Sequence, residues 1–273
     1  MKKKTVFFNL MKIKRSFYVF SSLISTFMST LLLILSPNLH ADAQLSSQFI
    51  DYQVNGQTYE GYFATPQSGA NDKLILLIHD WDGLTDYEVK RTHMLTEQGY
   101  TVFAADLFGK GVRPTEVKDK KQHTGELYKD RNKMRALLNG ALEKAVALGG
   151  NKSNAIAAGY CFGGAAVLEM ARAGADLKGY ASFHGGLTTP KGQNYSSVKG
   201  DILVMHGTAD AVIPMEQFAQ LAKELEADKV NHEMVTYSGA PHAFTVFGSP
   251  KYQKTADQKS WTLFQSFLET HLN

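Results

Sequence analysis

The sequence predicts an α/β fold: a mostly parallel central sheet with helices on both faces and an antiparallel hairpin at its amino-terminal edge. Three observations lead there. From Leu74 onward, short continuous apolar runs alternate with longer helix-like stretches, which is how strands buried on both faces of a parallel sheet read. Before Leu74, Asn55-Gly56 separates two short strand-like segments, the strongest short hairpin signal a sequence carries. Finally, no internal repeat, low-complexity tract or Pro/Gly/Ser linker interrupts residues 44–273, so one domain accounts for them.

The elements follow in order. The hairpin strands fall at 49–54 and 58–64. Apolar strands are expected at 74–78, 101–105, 155–158, 179–183, 202–205 and 234–237, with helices at 87–98, 125–148, 163–173, 215–226 and 255–272. The polar, Lys-rich stretch 106–124 is expected to be a loop or a cap over the sheet edge.

Residues 1–43 differ in kind. Lys2, Lys3, Lys4, Lys12, Lys14 and Arg15 precede an apolar, serine-dotted run from Phe17 to Leu35, then Ala41-Asp42-Ala43. Basic, apolar and small-residue regions in that order are a secretory signal peptide, with cleavage after Ala43; a retained membrane anchor is the other reading. Met11 offers an alternative start. The whole chain carries 29 Lys+Arg and 26 Asp+Glu; without the leader, the charge is about −2. Neither a nucleic-acid footprint nor a polybasic membrane patch is implied. Export places the protein in a bacterial periplasm or outside the cell, an oxidising setting in which a single cysteine forms no internal disulfide.

That cysteine is the most informative residue. Residues 155–165 place Cys161 at the centre of Gly159-x-Cys161-x-Gly163, between an apolar run and a helix-like run. This is the form of a nucleophile elbow, a tight strand-to-helix turn with a glycine two residues either side of the reacting group. A buried cysteine serving as a small hydrophobe is the competing reading. The turn sets Cys161 at the amino end of the following helix, whose dipole favours an anion, so a reactive thiolate is expected.

In a doubly wound sheet, the loops after the carboxyl ends of the strands converge on one rim. There stand His79-Asp80-Trp81-Asp82-Gly83, Asp106, Cys161, His206-Gly207-Thr208-Ala209-Asp210 and Ser238-Gly239-Ala240-Pro241-His242. Nucleophile, acid, histidine is the chain order of the α/β-hydrolase triad. Cys161 is therefore assigned as nucleophile, His242 as its proton acceptor and Asp210 as the carboxylate that fixes the imidazole. The Phe162 and Trp81 N–H groups are the candidate oxyanion hole. His79, His184 and His206 also end strands and are expected to hydrogen-bond loop backbone beneath the site. No His-x-His or Glu-x-x-His spacing occurs, so no metal is assigned. Asp106 is expected to order its own loop.

With these residues placed, the chain resembles the dienelactone hydrolase family. Gly159-Tyr160-Cys161-Phe162-Gly163-Gly164 matches the family's G-Y-C-x-G-G, supported by residues 79–83, 105–109, 206–210 and 239–244. The resemblance implies hydrolysis of a small-molecule ester or lactone through a thiol acyl-enzyme, without a cofactor. Two positions depart from the pattern. Asp80 stands where family members commonly carry a glutamate that pairs with the resting thiol, which makes Asp80 an auxiliary carboxylate with one methylene less reach. Val246 stands where the dienelactone enzymes have an arginine for the substrate carboxylate, and Arg113 and Arg131 are the candidate replacements. An uncharged ester or lactone is therefore as well suited as the dienelactone. The same fold and residues are also compatible with a non-catalytic small-molecule-binding protein, or with acyl transfer to an acceptor other than water.

Overall fold

The computed structural model describes residues 46–272, so the leader assigned to 1–43 lies outside the described residues. The hairpin consists of β1 (Ser46–Val54) and β2 (Gln57–Thr65), paired antiparallel from Ser46↔Thr65 to Val54↔Gln57. Its two-residue turn needs positive φ at both positions, and Asn55 (φ 50°) and Gly56 (φ 80°) supply it. Six further strands follow: β3 (Leu74–Ile78), β4 (Thr101–Ala105), β5 (Ala155–Tyr160), β6 (Gly179–Phe183), β7 (Asp201–Gly207) and β8 (His232–Tyr237). They form one sheet in the order β1-β2-β4-β3-β5-β6-β7-β8, parallel from β4 to β8, with β2 joined antiparallel to β4.

The helices are α1 (Asp86–Thr96), α2 (Val117–Lys129), α3 (Arg131–Ala147), α4 (Phe162–Arg172), α5 (Met215–Ala227) and α6 (Lys254–His271). Strand periodicity sorts them into two layers. In β3, Leu74, Leu76 and Ile78 pack with Leu127, Leu138, Val167 and Leu221 from α2 to α5, whereas Ile75 and Leu77 pack with Leu95 of α1 and Phe264 and Leu268 of α6. All five β3 residues are fully buried, and trimming one of its leucines to alanine costs about 2–5 kcal/mol. Such a sheet is a rigid platform. Its carboxyl-end loops carry the candidate site.

One expected element is corrected. The stretch read as a single helix over 125–148 is two helices, and the supposed polar connection is helical from Val117 onward. Asp130 breaks the run: with φ −111° and ψ 83°, it leaves the helical region and caps α3, its carboxylate accepting the Lys133 N–H at 2.9 Å. α3 buries Met134, Leu137, Leu138, Ala141, Leu142 and Ala145 along one stripe. α2 buries only Thr124 and Leu127.

Candidate active site

The turn at Cys161 has the geometry that its glycines require. A Cβ on Gly159 would lie 2.3 Å from the Gly163 carbonyl carbon and oxygen, and one on Gly163 would lie 2.3 Å from the Ile78 oxygen. The strand and helix backbones thus approach closer than any side chain permits. Cys161 itself has φ 52°, a conformation that costs a non-glycine residue about 1–3 kcal/mol and is held only because its surroundings fix it. Its N–H donates to Phe183 O at 3.0 Å, and its carbonyl accepts the Ala165 N–H at 3.3 Å.

The loops after β5, β7 and β8 bring three side chains into a row. His242 Nε2 lies 3.1 Å from Cys161 Sγ, and His242 Nδ1 lies 2.7 Å from Asp210 Oδ2. Asp210 Oδ1 accepts the N–H groups of Val212 and Ile213, both at 2.8 Å. Burial works to raise the Asp210 pKa, but the His242 bond and the two N–H groups outweigh it, leaving the carboxyl below its ordinary range. An ionised Asp210 only accepts, so Nδ1 carries the ring proton and Nε2 is free to accept the thiol proton.

The thiol departs from the sequence expectation. Burial pushes its pKa well up, the charges of Asp80, Asp210 and Asp82 push it further, and the Phe162 N–H directed at the sulfur opposes them only in part. Desolvation and three carboxylates overcome the helix dipole. A thiol so raised favours S–H hydrogen-bonded to the imidazole over an ion pair. Cys161 nonetheless keeps some exposed surface and lines a cavity of about 380 Å³ together with Asp80, Trp81, Asp82, Val212, His242, Ala243, Val246, Ser249 and Lys251.

The loop after β3 supplies a second carboxylate. Asp80 is buried, its Oδ1 accepts the Asp82 N–H at 2.8 Å, and its pKa is raised to about 6, first by burial and then by the Asp82 charge. It makes no hydrogen bond to Cys161, whose sulfur bonds instead to His242, so the pairing implied by the family glutamate is not made. Sequence reasoning missed what lies behind Asp80. Glu88, fully buried, accepts the Asp80 N–H at 3.3 Å and the Thr85 N–H and hydroxyl at 2.8 Å each. Thr85-Asp86-Tyr87-Glu88 is a capping box at the start of α1, and Thr-x-x-Glu before a helix was the signal to look for.

The remaining candidates divide. Asp106 orders its loop as expected, taking the N–H groups of Phe108, Gly109 and Glu60. His79 accepts the Leu107 N–H and bonds the Asp80 carbonyl, and His206 bonds the Ile213 carbonyl. His184 differs: it holds the Thr245 hydroxyl at 2.8 Å, and its ring packs edge-on to His242. Neither proposed arginine lines the catalytic cavity. Arg113 lies 3.7 Å from Glu60 and 3.9 Å from Asp106, and Arg131 lies 3.4 Å from Glu169. Of the aromatic residues at the strand ends, Trp81 lines the cavity, whereas Phe108, Phe183 and Phe244 are core.

Comparison with known proteins agrees with this geometry. The pattern of the dienelactone hydrolase family matches residues 59–272. A protein of Synechocystis sp. PCC 6803 named a carboxymethylenebutenolidase is 24% identical over 232 residues, covering 78% of this chain and 92% of its own. One of Escherichia coli K12 bearing the same name is 22% identical, covering 81% and 85%. Among solved structures, a dienelactone hydrolase-like promiscuous phosphotriesterase from metagenomic libraries superimposes with a TM-score of 0.78 at 27% identity, covering 84% of this chain and 99% of the other. The acylaminoacyl peptidase of Pyrococcus horikoshii shares the fold at 15% identity and a TM-score of 0.66, over 84% of this chain and 42% of its own. With its parallel sheet, its elbow and this match over most of its length, the chain belongs to the dienelactone hydrolase family of α/β-hydrolases and is a hydrolase of ester or lactone bonds.

Proposed function

We propose that the chain hydrolyses a small carboxylic ester or lactone through Cys161, His242 and Asp210. The observation that carries this reading is the unbroken row of hydrogen bonds from Sγ through the imidazole to the Asp210 carboxylate. His242 Nε2 takes the thiol proton as sulfur attacks the acyl carbon. The charge that develops on the carbonyl oxygen falls to the Phe162 and Trp81 N–H groups, where losing one donor would cost ~3 kcal/mol of barrier. The C–O bond then breaks, the leaving oxygen takes the proton from Nε2, and a thioester remains. For a lactone, the released hydroxyl stays on the acyl chain. Water next gives a proton to Nε2 and adds to the thioester, the C–S bond breaks, and the sulfur recovers its proton.

A raised thiol pKa suits this sequence, because proton transfer and attack occur together and no resting thiolate is exposed to oxidation. Trp81, Val212, Ala243 and Val246 give the cavity a mainly apolar lining, in keeping with an uncharged acyl group. The basic, apolar and small-residue order of residues 1–43 supports export by a cleaved signal peptide, which amino-terminal sequencing of the mature protein checks by finding Gln44 first.

The test of the chemistry is a panel of chromogenic esters and lactones, neutral and anionic, run on the wild type, Cys161→Ala and His242→Ala. Turnover by the wild type, background rates for both variants and a transient acyl adduct on the Cys161 peptide are expected. Wild-type rates retained in Cys161→Ala would overturn the assignment.

A further inference from the structure

α2, the segment that the sequence reads in large part as a polar connection, crosses both donors of the proposed oxyanion hole. At one end, Lys120 Nζ stands 2.7 Å from Asp82 Oδ1 and 5.1 Å from the centre of the Trp81 ring. At the other, Tyr128 packs edge-on to Phe162 with ring centres 5.4 Å apart. Between them, His123 stacks on Phe108 at 5.2 Å, and Phe108 in turn packs on Phe162 at 5.6 Å. One helix therefore touches both residues whose N–H groups must keep a fixed separation.

The Asp82 end is charged in a way that packing alone does not require. Asp82 Oδ1 is shielded from solvent and has no hydrogen-bond donor other than the Lys120 ammonium beside it. The Lys120 side chain is 14% exposed and that of Asp82 is 36% exposed. A half-exposed pair with one shielded oxygen ties its loop to α2 while the pair lasts, and leaves the Asp82 charge to act on nearby acids once the cation is gone. The loop so held carries Asp80 and Trp81 at the rim of the thiol cavity.

We propose that Lys120 is a positioning residue: gripping Asp82 and lying over the Trp81 ring, it fixes the loop after β3 so that the Trp81 N–H meets the developing oxyanion, and it offsets the Asp82 charge beside Cys161. This rests on the thiol-hydrolase reading given above. Cys161 is faced by Asp80 and Asp82 from this loop, by Asp210 after β7, by His242 after β8 and by Tyr128 on α2. Asp80 is faced in turn by Asp82, Lys120, Glu88 and His242. Lys120 faces Asp80 and grips Asp82, and Lys251 is the lysine that lines the thiol cavity itself. The influence of Lys120 on the thiol therefore runs through these two carboxylates, with its direct contact to Asp82.

The experiment uses the purified chain and four variants: Lys120→Met, Lys120→Arg, Asp82→Asn and the double Lys120→Met/Asp82→Asn. Two readouts are taken, kcat and KM on an ester from the panel and the pH dependence of iodoacetamide alkylation at Cys161. The second does not need turnover, so it remains informative should no ester be hydrolysed, an outcome that would overturn the hydrolase reading alone. Lys120→Met is expected to lower kcat about tenfold with KM little changed, as loss of a transition-state contact does, and to move the alkylation midpoint to higher pH. Lys120→Arg keeps the cation and recovers most of both. Asp82→Asn moves the midpoint to lower pH, and in its background Lys120→Met has less than half of its effect. A lysine that only stabilises the fold would lower the melting temperature and leave the alkylation profile unmoved. That result, or a full Lys120→Met effect in the Asp82→Asn background, overturns the proposal.

Discussion

Asp210 and Asp80 are two carboxylates on one rim, each at the end of a parallel strand and each almost closed off from solvent, at 6% and 7% exposure. Their environments set them apart. Asp210 takes three donors, from Val212, Ile213 and His242, and its pKa falls below the ordinary range despite burial. Asp80 takes one N–H, from Asp82, and has the Asp82 charge beside it, so burial and like charge raise it to about 6. Similar exposure thus accompanies one carboxyl held below its ordinary range and one raised to about 6. What differs is the number of N–H groups aimed at each carboxylate, the charge beside it and the depth of protein around it.

The largest effect is expected from removing the charge on the first of the pair. In Asp210→Asn, the amide can donate to His242 Nδ1, which turns the imidazole to the tautomer with its proton on Nε2. That nitrogen then cannot accept from the thiol, and kcat should fall by roughly 10³–10⁴-fold with KM little changed, as in triads that lose their acid. Steady-state kinetics on a single ester measure it. A loss under tenfold would mean that Asp210 acts only as a structural acid, and the contrast with Asp80 would fail.

The sequence carried the frame of this site and not its electrostatics. Five-residue apolar runs such as Leu74–Ile78 are too short for buried helices and read as strands covered on both faces, and the close approaches at Gly159 and Gly163 leave glycine as the sole choice, so sheet and elbow are both legible. The break at Asp130 is not. α2 buries two residues and carries Gly125 in its interior, so no apolar stripe announces it. The raised thiol pKa is hidden for a related reason: the helix that favours the anion is visible in sequence, while three carboxylates gathered from the ends of two strands are visible only in three dimensions. Lys120 belongs to the same class, since it sits on α2 and its partner lies 38 positions away on the loop after β3.

Asp80→Asn sharpens the comparison through stability. A group whose folded pKa is raised binds its proton more tightly in the native state, so folding loses stability as pH climbs from the unfolded value of 3.8 to the folded value of about 6. Above pH 6 the whole penalty is present, and below pH 4 it is absent. Asparagine has no such penalty. Relative to the wild type, Asp80→Asn should gain up to about 3 kcal/mol at pH 7.5 and close to nothing at pH 4, from a shift of about two units at 1.36 kcal/mol each. Urea unfolding at the two pH values reads the difference. A gain that is the same at both, or larger at pH 4, would place Asp80 with Asp210 among the carboxylates that the fold stabilises.

The smallest expected effect tests what keeps Asp80 in place. Thr85 accepts the Tyr87 N–H at 3.3 Å through its hydroxyl oxygen and gives the hydroxyl proton to Glu88, whose other oxygen holds the Asp80 N–H. Thr85→Ala removes a helix cap, for which about 1 kcal/mol of stability is the usual loss. It also leaves Glu88 one donor short, and a buried carboxyl already raised to about 8 by burial and by Asp80 should rise further. The variant should therefore lose more stability at pH 9, where Glu88 must ionise, than at pH 6, where it is protonated. Thr85→Ser keeps the hydroxyl and should restore both values. If the loss is the same at pH 6 and pH 9, the cap acts on α1 alone, and the Thr85 hydroxyl does not stabilise the ionised Glu88 behind Asp80.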